Sequence, residues 1–212
     1  VLALNFGSSN IITGSSEDRR LLLDWGSFHV EHTYLDLYKD YNKSVKQRNS
    51  LLKKNELTNI DYWTDVVSEL GSKINTIRKA YFNELNCVFD SIKDEMQNLL
   101  PNIYADIKQS KISYNQGWPD DLSLKESLKN SLNKDMVLKH TTSGPHRADI
   151  FFSAGPGDLK NVSSMSTQII SSLLVIMSQA RVFHVKHKHS PIILIDDLFF
   201  GIDDKNLRLV IN

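Results

Sequence analysis

Two adjacent carboxylates, Asp196 and Asp197, close an apolar run of Ile192, Ile193, Leu194 and Ile195. A second acidic pair, Asp203-Asp204, follows seven positions after Asp196. A short apolar run of this kind reads as a strand buried on both faces of a parallel sheet. The carboxyl ends of such strands are where open α/β sheets bind ligands. Two acids there suit a magnesium nucleotide, with Asp196 reaching the metal and Asp197 orienting an attacking water. This is the Walker B pattern. A strand that merely ends in a solvated, Asp-rich turn has the same sequence. Asp203 fits equally well as the N-cap of a helix beginning near Asp204.

Other residues could also do chemistry. Ser164 precedes a helical pattern over 167–180; it is either a helix cap or a phosphate-facing hydroxyl beside the helix-end N–H groups. Lys39, Lys43, Lys46, Arg48, Lys53 and Lys54 place six cations in sixteen residues, with Asp40 the one acid among them. Such a face can meet DNA phosphates or simply be solvated, and no interleaved aromatics suggest base stacking. His184, His187 and His189 fall in a basic stretch, 181–190, that reads as a loop; without a nearby Cys or acid they complete no metal site. Arg147 follows a Gly-Pro turn, and Asp149 two residues on makes a structural pairing the favoured reading over an interface or nucleic-acid contact. Cys87 reads as a small buried apolar residue in a helix.

The elements that must position these groups follow from periodicity. Residues 3–12 read as strand material and a turn. A helix is predicted from Thr33 to Lys54, with apolar positions at Tyr34, Leu37, Tyr38, Tyr41, Val45 and Leu52. A second, from Trp63 to Leu100, carries Val66, Leu70, Ile74, Ile77, Tyr81, Leu85, Val88, Ile92 and Met96 on one stripe. It would rise roughly 57 Å, with Gly71 a possible kink and Pro101 its end. The short connector 55–61 makes the two an antiparallel hairpin. Ile103–Tyr114 alternates like a strand, a short helix is predicted around Leu122–Leu132, and Met136–His140 and Ala148–Ser153 read as two further strands. In the helix 167–180, Ile169, Ile170, Leu173, Ile176, Met177 and Ala180 face inward, and the strand 192–195 follows. The order describes a helical insertion in an α/β nucleotide-binding lobe.

The totals set limits. The 212 residues carry 25 basic and 25 acidic side chains, so the formal net charge is zero. Neutrality argues against coating nucleic acid with the whole surface, though a local basic face remains open. A lone cysteine rules out an intrachain disulfide and fits a reducing, cytoplasmic compartment. No apolar run is read as transmembrane, and no membrane partner is expected. Val1 at the start and an amphipathic stretch at the end suggest a piece of something longer.

Five blocks, in order, resemble the RecF family of bacterial recombination and repair proteins. They are Arg19-Arg20-Leu21-Leu22-Leu23-Asp24-Trp25-Gly26-Ser27-Phe28-His29, Lys46-Gln47-Arg48-Asn49, Gln116-Gly117-Trp118, Ser143-Gly144-Pro145-His146-Arg147-Ala148-Asp149, and Leu194-Ile195-Asp196-Asp197 with Asp203. The resemblance implies a partial ABC-type α/β ATPase lobe with an inserted α-helical domain built on the long hairpin. It divides the chain into 1–18, a remnant of the ATPase lobe; 19–134, the helical domain; and 135–212, the signature, Walker B and D-loop part of the lobe. It implies ATP and Mg²⁺ as cofactors, a weak DNA-dependent ATPase activity, and an ATP-dependent homodimer on gapped, single- or double-stranded DNA. It further implies recombinase loading with other mediator proteins in recombinational repair and the SOS response. In that arrangement Asp196 serves the metal and Asp197 the water, while Ser164 and Asp203 reach ATP held by the other protomer.

Two departures qualify it. No G-x-x-x-x-G-K-[ST] loop is present, so the chain by itself is expected not to hold ATP tightly or turn it over; the family's loop lies well upstream. The signature, Ser-Arg-Gly-Gln in the family, falls on Ser164-Met165-Ser166-Thr167, or one residue earlier at Ser163, and Ser166 stands where glycine allows close phosphate approach. The alternative reading is therefore a non-catalytic interaction module that kept the fold without the ATP switch.

Overall fold

The computed structural model describes residues 2–5, 11–98 and 101–196; side chains at 2–5, 102, 103, 106 and 196 lie outside that description. The described elements run β1 (Leu2–Asn5), α1 (Ser16–Val30), α2 (Tyr34–Lys54), α3 (Ile60–Glu95), α4 (Pro101–Ile107), β2 (Ser110–Asn115), α5 (Leu124–Asn130) and α6 (Leu132–Leu138). A 3-10 turn (Pro145–Arg147) leads into β3 (Asp149–Ala154), β4 (Gly157–Asp158), α7 (Leu159–Val162), α8 (Met165–His187) and β5 (Ile193–Asp196). They form two compact units: 1–22, 81–113 and 150–212 in one, 23–80 and 114–149 in the other. These boundaries differ from the sequence-based division. The distal part of α3 and residues 96–113 join the first unit, and 135–149 join the helical one.

The second unit is built on α2 and the first part of α3. Tyr34, Tyr41 and Val45 of α2 share a core with Val67 and Ile74 of α3 and with Leu124 and Leu128 of α5. The two long helices run antiparallel, because Arg48 meets Thr64 near one end while Tyr34 meets Arg78 near the other. Asn55, in the left-handed conformation, ends α2, and its N–H bonds back to helix carbonyls. Gly71 does not interrupt α3, which is continuous from Ile60 to Glu95. Glycine is needed there for close approach: a Cβ would stand 2.5 Å from Leu124 Cδ2.

The first unit is organised by α8. Its residues Ile169, Ile170, Leu174 and Val175 are at most 1 % exposed. Burial almost all round makes this a core helix rather than an amphipathic surface one. By length and composition α8 is apolar enough to cross a membrane, contrary to the sequence expectation, yet most of it is buried within the protein. Two of its buried hydroxyls bond back to their own helix, Ser172 Oγ to Gln168 O and Ser178 Oγ to Leu174 O, whereas the buried Ser171 Oγ has no hydrogen-bond partner among the described residues. Gln179 Nε2 donates to Leu22 O of α1 at 3.0 Å. The unit has a three-stranded sheet in the order β2-β3-β4, with β3 and β4 antiparallel, and a two-stranded parallel pair, β1 and β5.

Several expected elements change type. Pro101–Ile107 is helical, so only Ser110–Asn115 of the alternating stretch is strand. Met136–Leu138 belongs to α6, not to a strand. A helix there is what carries Asp135 into the interior, and Lys139 in the left-handed region stops it. The segment around Leu21–Phe28 is helical. The basic stretch begins inside α8, which runs to His187, because His184, Lys186 and His187 sit in a last turn that favours cations. Met177 and Cys87 are exposed rather than buried.

Candidate functional site

β5 pairs in parallel with β1, Leu2 opposite Ile193 through Asn5 opposite Asp196. Asp196 is thus the last residue of its strand, at the carboxyl end, beside Asn5 of the neighbouring strand. Ile192, Leu194 and Ile195 are 65 %, 56 % and 44 % exposed. The expected burial on both faces is therefore not seen among the described residues. Asp197 and Asp203 lie outside the described residues. Among the described residues no cluster of three or more His, Cys, Asp or Glu is arranged to hold a metal.

Ser164 is the N-cap of α8. Its backbone is extended and its Oγ accepts the Thr167 N–H at 3.2 Å. It also shares a 2.8 Å hydrogen bond with Thr167 Oγ1. Gln168 Nε2 donates to Lys160 O and Ser163 O, fixing the chain that enters the helix. Ser163 Oγ turns back to Leu159 O, so Ser164 rather than Ser163 holds the cap position. Ser163 and Ser164 line a polar cleft of about 370 Å³ together with Ala105, Gln109, Ala154 and Val162. A cap hydroxyl at the start of a 23-residue helix, opening on a polar cleft, is a donor set compatible with an anionic group.

Lys39, Lys43, Lys46, Lys53 and Lys54 are exposed on α2. Steps of four, three and seven place the first four on one stripe. Lys39 makes an exposed ion pair with Asp36 at 3.2 Å. Arg48 does not belong to this face. Its side chain is fully buried and paired with Asp135 at 2.7 Å. It lies on the opposite, core stripe Tyr41, Val45, Arg48, Leu52.

Arg48 is the centre of a polar lattice that sequence reasoning missed. Its Nε donates to Thr64 Oγ1, and its Nη1 to Asp135 Oδ2 and to Thr141 Oγ1. The other Asp135 oxygen accepts from Thr142 N and Oγ1. Asn49 Oδ1 accepts from Thr141 N and Oγ1. Arg78, also fully buried, donates to Asp24 Oδ1 at 2.6 Å, to Tyr34 Oη at 2.9 Å and to Pro145 O at 2.7 Å. Burial works against the Arg78 charge, but the Asp24 carboxylate, with Tyr34 Oη as a further hydrogen-bond acceptor, outweighs it and holds the guanidinium protonated. Burial likewise pushes the Tyr34 and Tyr41 hydroxyls well above their ordinary range, so both are neutral donors. Asn75 Nδ2 donates to Gln116 Oε1 at 2.9 Å. The signal for the arginines was present: Arg48 and Arg78 each occupy an apolar-stripe position, where an arginine must bring a buried acceptor with it.

The four upstream blocks singled out in the sequence meet in this lattice. Asp24 comes from the first, Arg48 and Asn49 from the second, Gln116 from the third and Pro145-His146 from the fourth. Arg147 is exposed, and among the described residues no ion pair joins it to Asp149. His184, His187 and His189 form ring contacts with Phe183 or bonds to Ser190 Oγ and a backbone carbonyl.

No protein-family model matches this chain. The chain is 32 % identical over 195 residues to the DNA replication and repair protein RecF of Pseudoalteromonas translucida, covering 90 % of the chain and 51 % of that protein. It is 30 % identical over 207 residues to the RecF of Acinetobacter baylyi, covering 96 % and 55 %. A solved structure of the recombination mediator RecF with ATP, from the RecFOR pathway, superposes with a TM-score of 0.77 at 23 % identity, over 99 % of this chain and 58 % of that one. The fold is thus that of RecF over the part of it that this chain covers. The chain spans about half the length of the curated relatives it matches, and it belongs to the RecF family.

Proposed function

We propose that the chain is part of a RecF-type DNA repair ATPase that binds gapped, single- or double-stranded DNA in an ATP-dependent way and helps to load recombinase. The observation that carries the reading is Asp196 at the carboxyl end of β5, in parallel register with β1. ATP with Mg²⁺ would supply the phosphoryl group and its charge-neutralising metal. Asp196 is assigned to the metal and Asp197 to holding the attacking water. Ser164 and Asp203 are assigned to the triphosphate of a second protomer, a role supported by the polar cleft beside the Ser164 cap. Lys39, Lys43, Lys46, Lys53 and Lys54 are assigned to DNA phosphates, without Arg48. Self-association, other recombination mediators and a cytoplasmic, SOS-linked setting complete the proposal.

The test is Asp197→Asn in the whole protein. DNA-dependent ATP turnover falls at least ~100-fold while binding of a fluorescent ATP analogue is kept. Unchanged turnover removes Asp197 from the mechanism. A second reading, a non-catalytic interaction module, is favoured by Ser166 standing where the family signature has glycine. Light scattering separates the two: ATP-induced dimerisation defeats the module, and a nucleotide-independent state supports it.

A further inference from the structure

The helical unit contains three arginines. Two of them, Arg48 and Arg78, are buried with every fork direction engaged. The third, Arg147, is exposed, and its guanidinium makes no ion pair or hydrogen bond among the described residues. All other fixed cations of this unit are lysines. A guanidinium differs from an ammonium in its rigid, planar fork, which matches two oxygens of one phosphate or carboxylate at once.

The backbone that carries Arg147 is over-determined. Arg78 Nη1 donates to Pro145 O at 2.7 Å. Tyr41 Oη meets His146 Nδ1 at 2.6 Å, and His146 Nε2 donates to Thr141 O at 3.0 Å. Gly144 N donates to Gly117 O, and Arg147 N to Gly144 O at 2.8 Å. Gly144 sits at φ 136°, and a Cβ there would come 2.5 Å from Tyr41 Oη. A buried arginine, a buried tyrosine and a histidine thus fix both residues before Arg147, and the residue they fix points its charge outward. A side chain on so rigid a mount meets its ligand with little further ordering.

We propose that Arg147 is a phosphate-binding residue, presented by the 141–148 turn to a phosphate of DNA or of the bound nucleotide. This rests on the function proposed above, which makes phosphate esters the ligand chemistry.

The experiment uses the whole protein with Arg147→Gln and Arg147→Lys. The probes are a fluorescein-labelled gapped duplex read by anisotropy across a salt series, and a fluorescent ATP analogue without DNA. If the phosphate is DNA's, Arg147→Gln weakens the duplex about 5- to 10-fold at low salt and lowers the salt slope by about one, leaving the nucleotide unchanged. If it is the nucleotide's, the analogue weakens by a similar factor without DNA. In either case Arg147→Lys restores part of the affinity, and both melting temperatures stay within about 2 °C of wild type. Unchanged binding of both probes overturns the assignment, as does a larger fall in melting temperature, which would mark a structural role. If the unsubstituted protein binds neither probe, the proposed function fails as well. Normal binding that is indifferent to Arg147 sinks this assignment alone.

Discussion

The two units hold themselves together by different physics. The helical unit buries charge: Arg48 with Asp135, and Arg78 with Asp24, form its interior along with hydroxyl and amide partners. The unit around α8 buries mainly aliphatic surface, with the Ser172 and Ser178 hydroxyls folded back onto their own helix. The first arrangement specifies direction, because every donor must find its acceptor. The second tolerates change in proportion to volume lost. Four of the five family-like blocks contribute members to the buried polar lattice of the helical unit. A buried ion network is unforgiving in each member, and its members come from distant parts of the chain.

The comparison breaks most sharply at Asp135. Asp135→Ala strands the Arg48 guanidinium with only Thr64, Thr141 and the Leu128 carbonyl as partners. A loss of about 3–5 kcal/mol is expected, and moderate salt changes it little, because both groups are out of water. All three tryptophans, Trp25, Trp63 and Trp118, fall in this unit. Tryptophan fluorescence during urea unfolding therefore reports the loss where it occurs. A destabilisation under 1 kcal/mol would mean that Arg48 finds water, and the lattice would not be the organising feature.

Leu174→Ala is the matching cut in the other unit. Leu174 is fully buried, so truncation costs the transfer term plus a cavity, about 2–5 kcal/mol. The far-UV CD transition should shift while the tryptophan transition stays in place. If both move together by the same amount, the two units unfold cooperatively as one.

What the sequence made legible divides along the same line. The long helices, their antiparallel pairing and the core positions of α2 and α3 followed from steps of three and four, because apolar burial leaves a periodic trace. The buried ion pairs did not. Arg48 was read with the lysines around it as a surface cation, although it sits on the stripe of Tyr41, Val45 and Leu52. Its acceptor, Asp135, lies 87 residues away, between a segment read as helix and one read as strand. Charge burial is a long-range property, and a local reading sees only the charge. Helix α8 was found but cut short, because its cationic last turn resembles a loop when the carboxyl-end preference for cations is left out. At the Asp196 strand the order and the carboxyl-end position were legible. The exposure of Ile192, Leu194 and Ile195 was not, since an apolar run says what a strand should bury and not which layers cover its faces.

The smallest expected effect concerns a local charge in the helical unit that is exposed rather than buried. Ser123 and Glu126 form a capping box at the start of α5: Ser123 Oγ accepts the Glu126 N–H, and the Glu126 carboxylate accepts from Ser123 N at 2.9 Å. Those bonds hold the Glu126 carboxyl below its ordinary 4.5, the Ser123 side chain contributing most. A depressed folded-state value means the stabilisation is fully present above 4.5 and is lost as pH falls through the lowered value. Ser123→Ala is therefore expected to cost about 1 kcal/mol at pH 7, the usual worth of such a cap. The gap between variant and wild type should narrow as the pH is taken below 4.5, and it should be less sensitive to position in the core than either larger cut. Chemical denaturation followed by tryptophan fluorescence at pH 7 and at successively lower pH measures it. A gap that stays constant with pH would assign the effect to the serine hydroxyl alone and take the Glu126 carboxylate out of the cap.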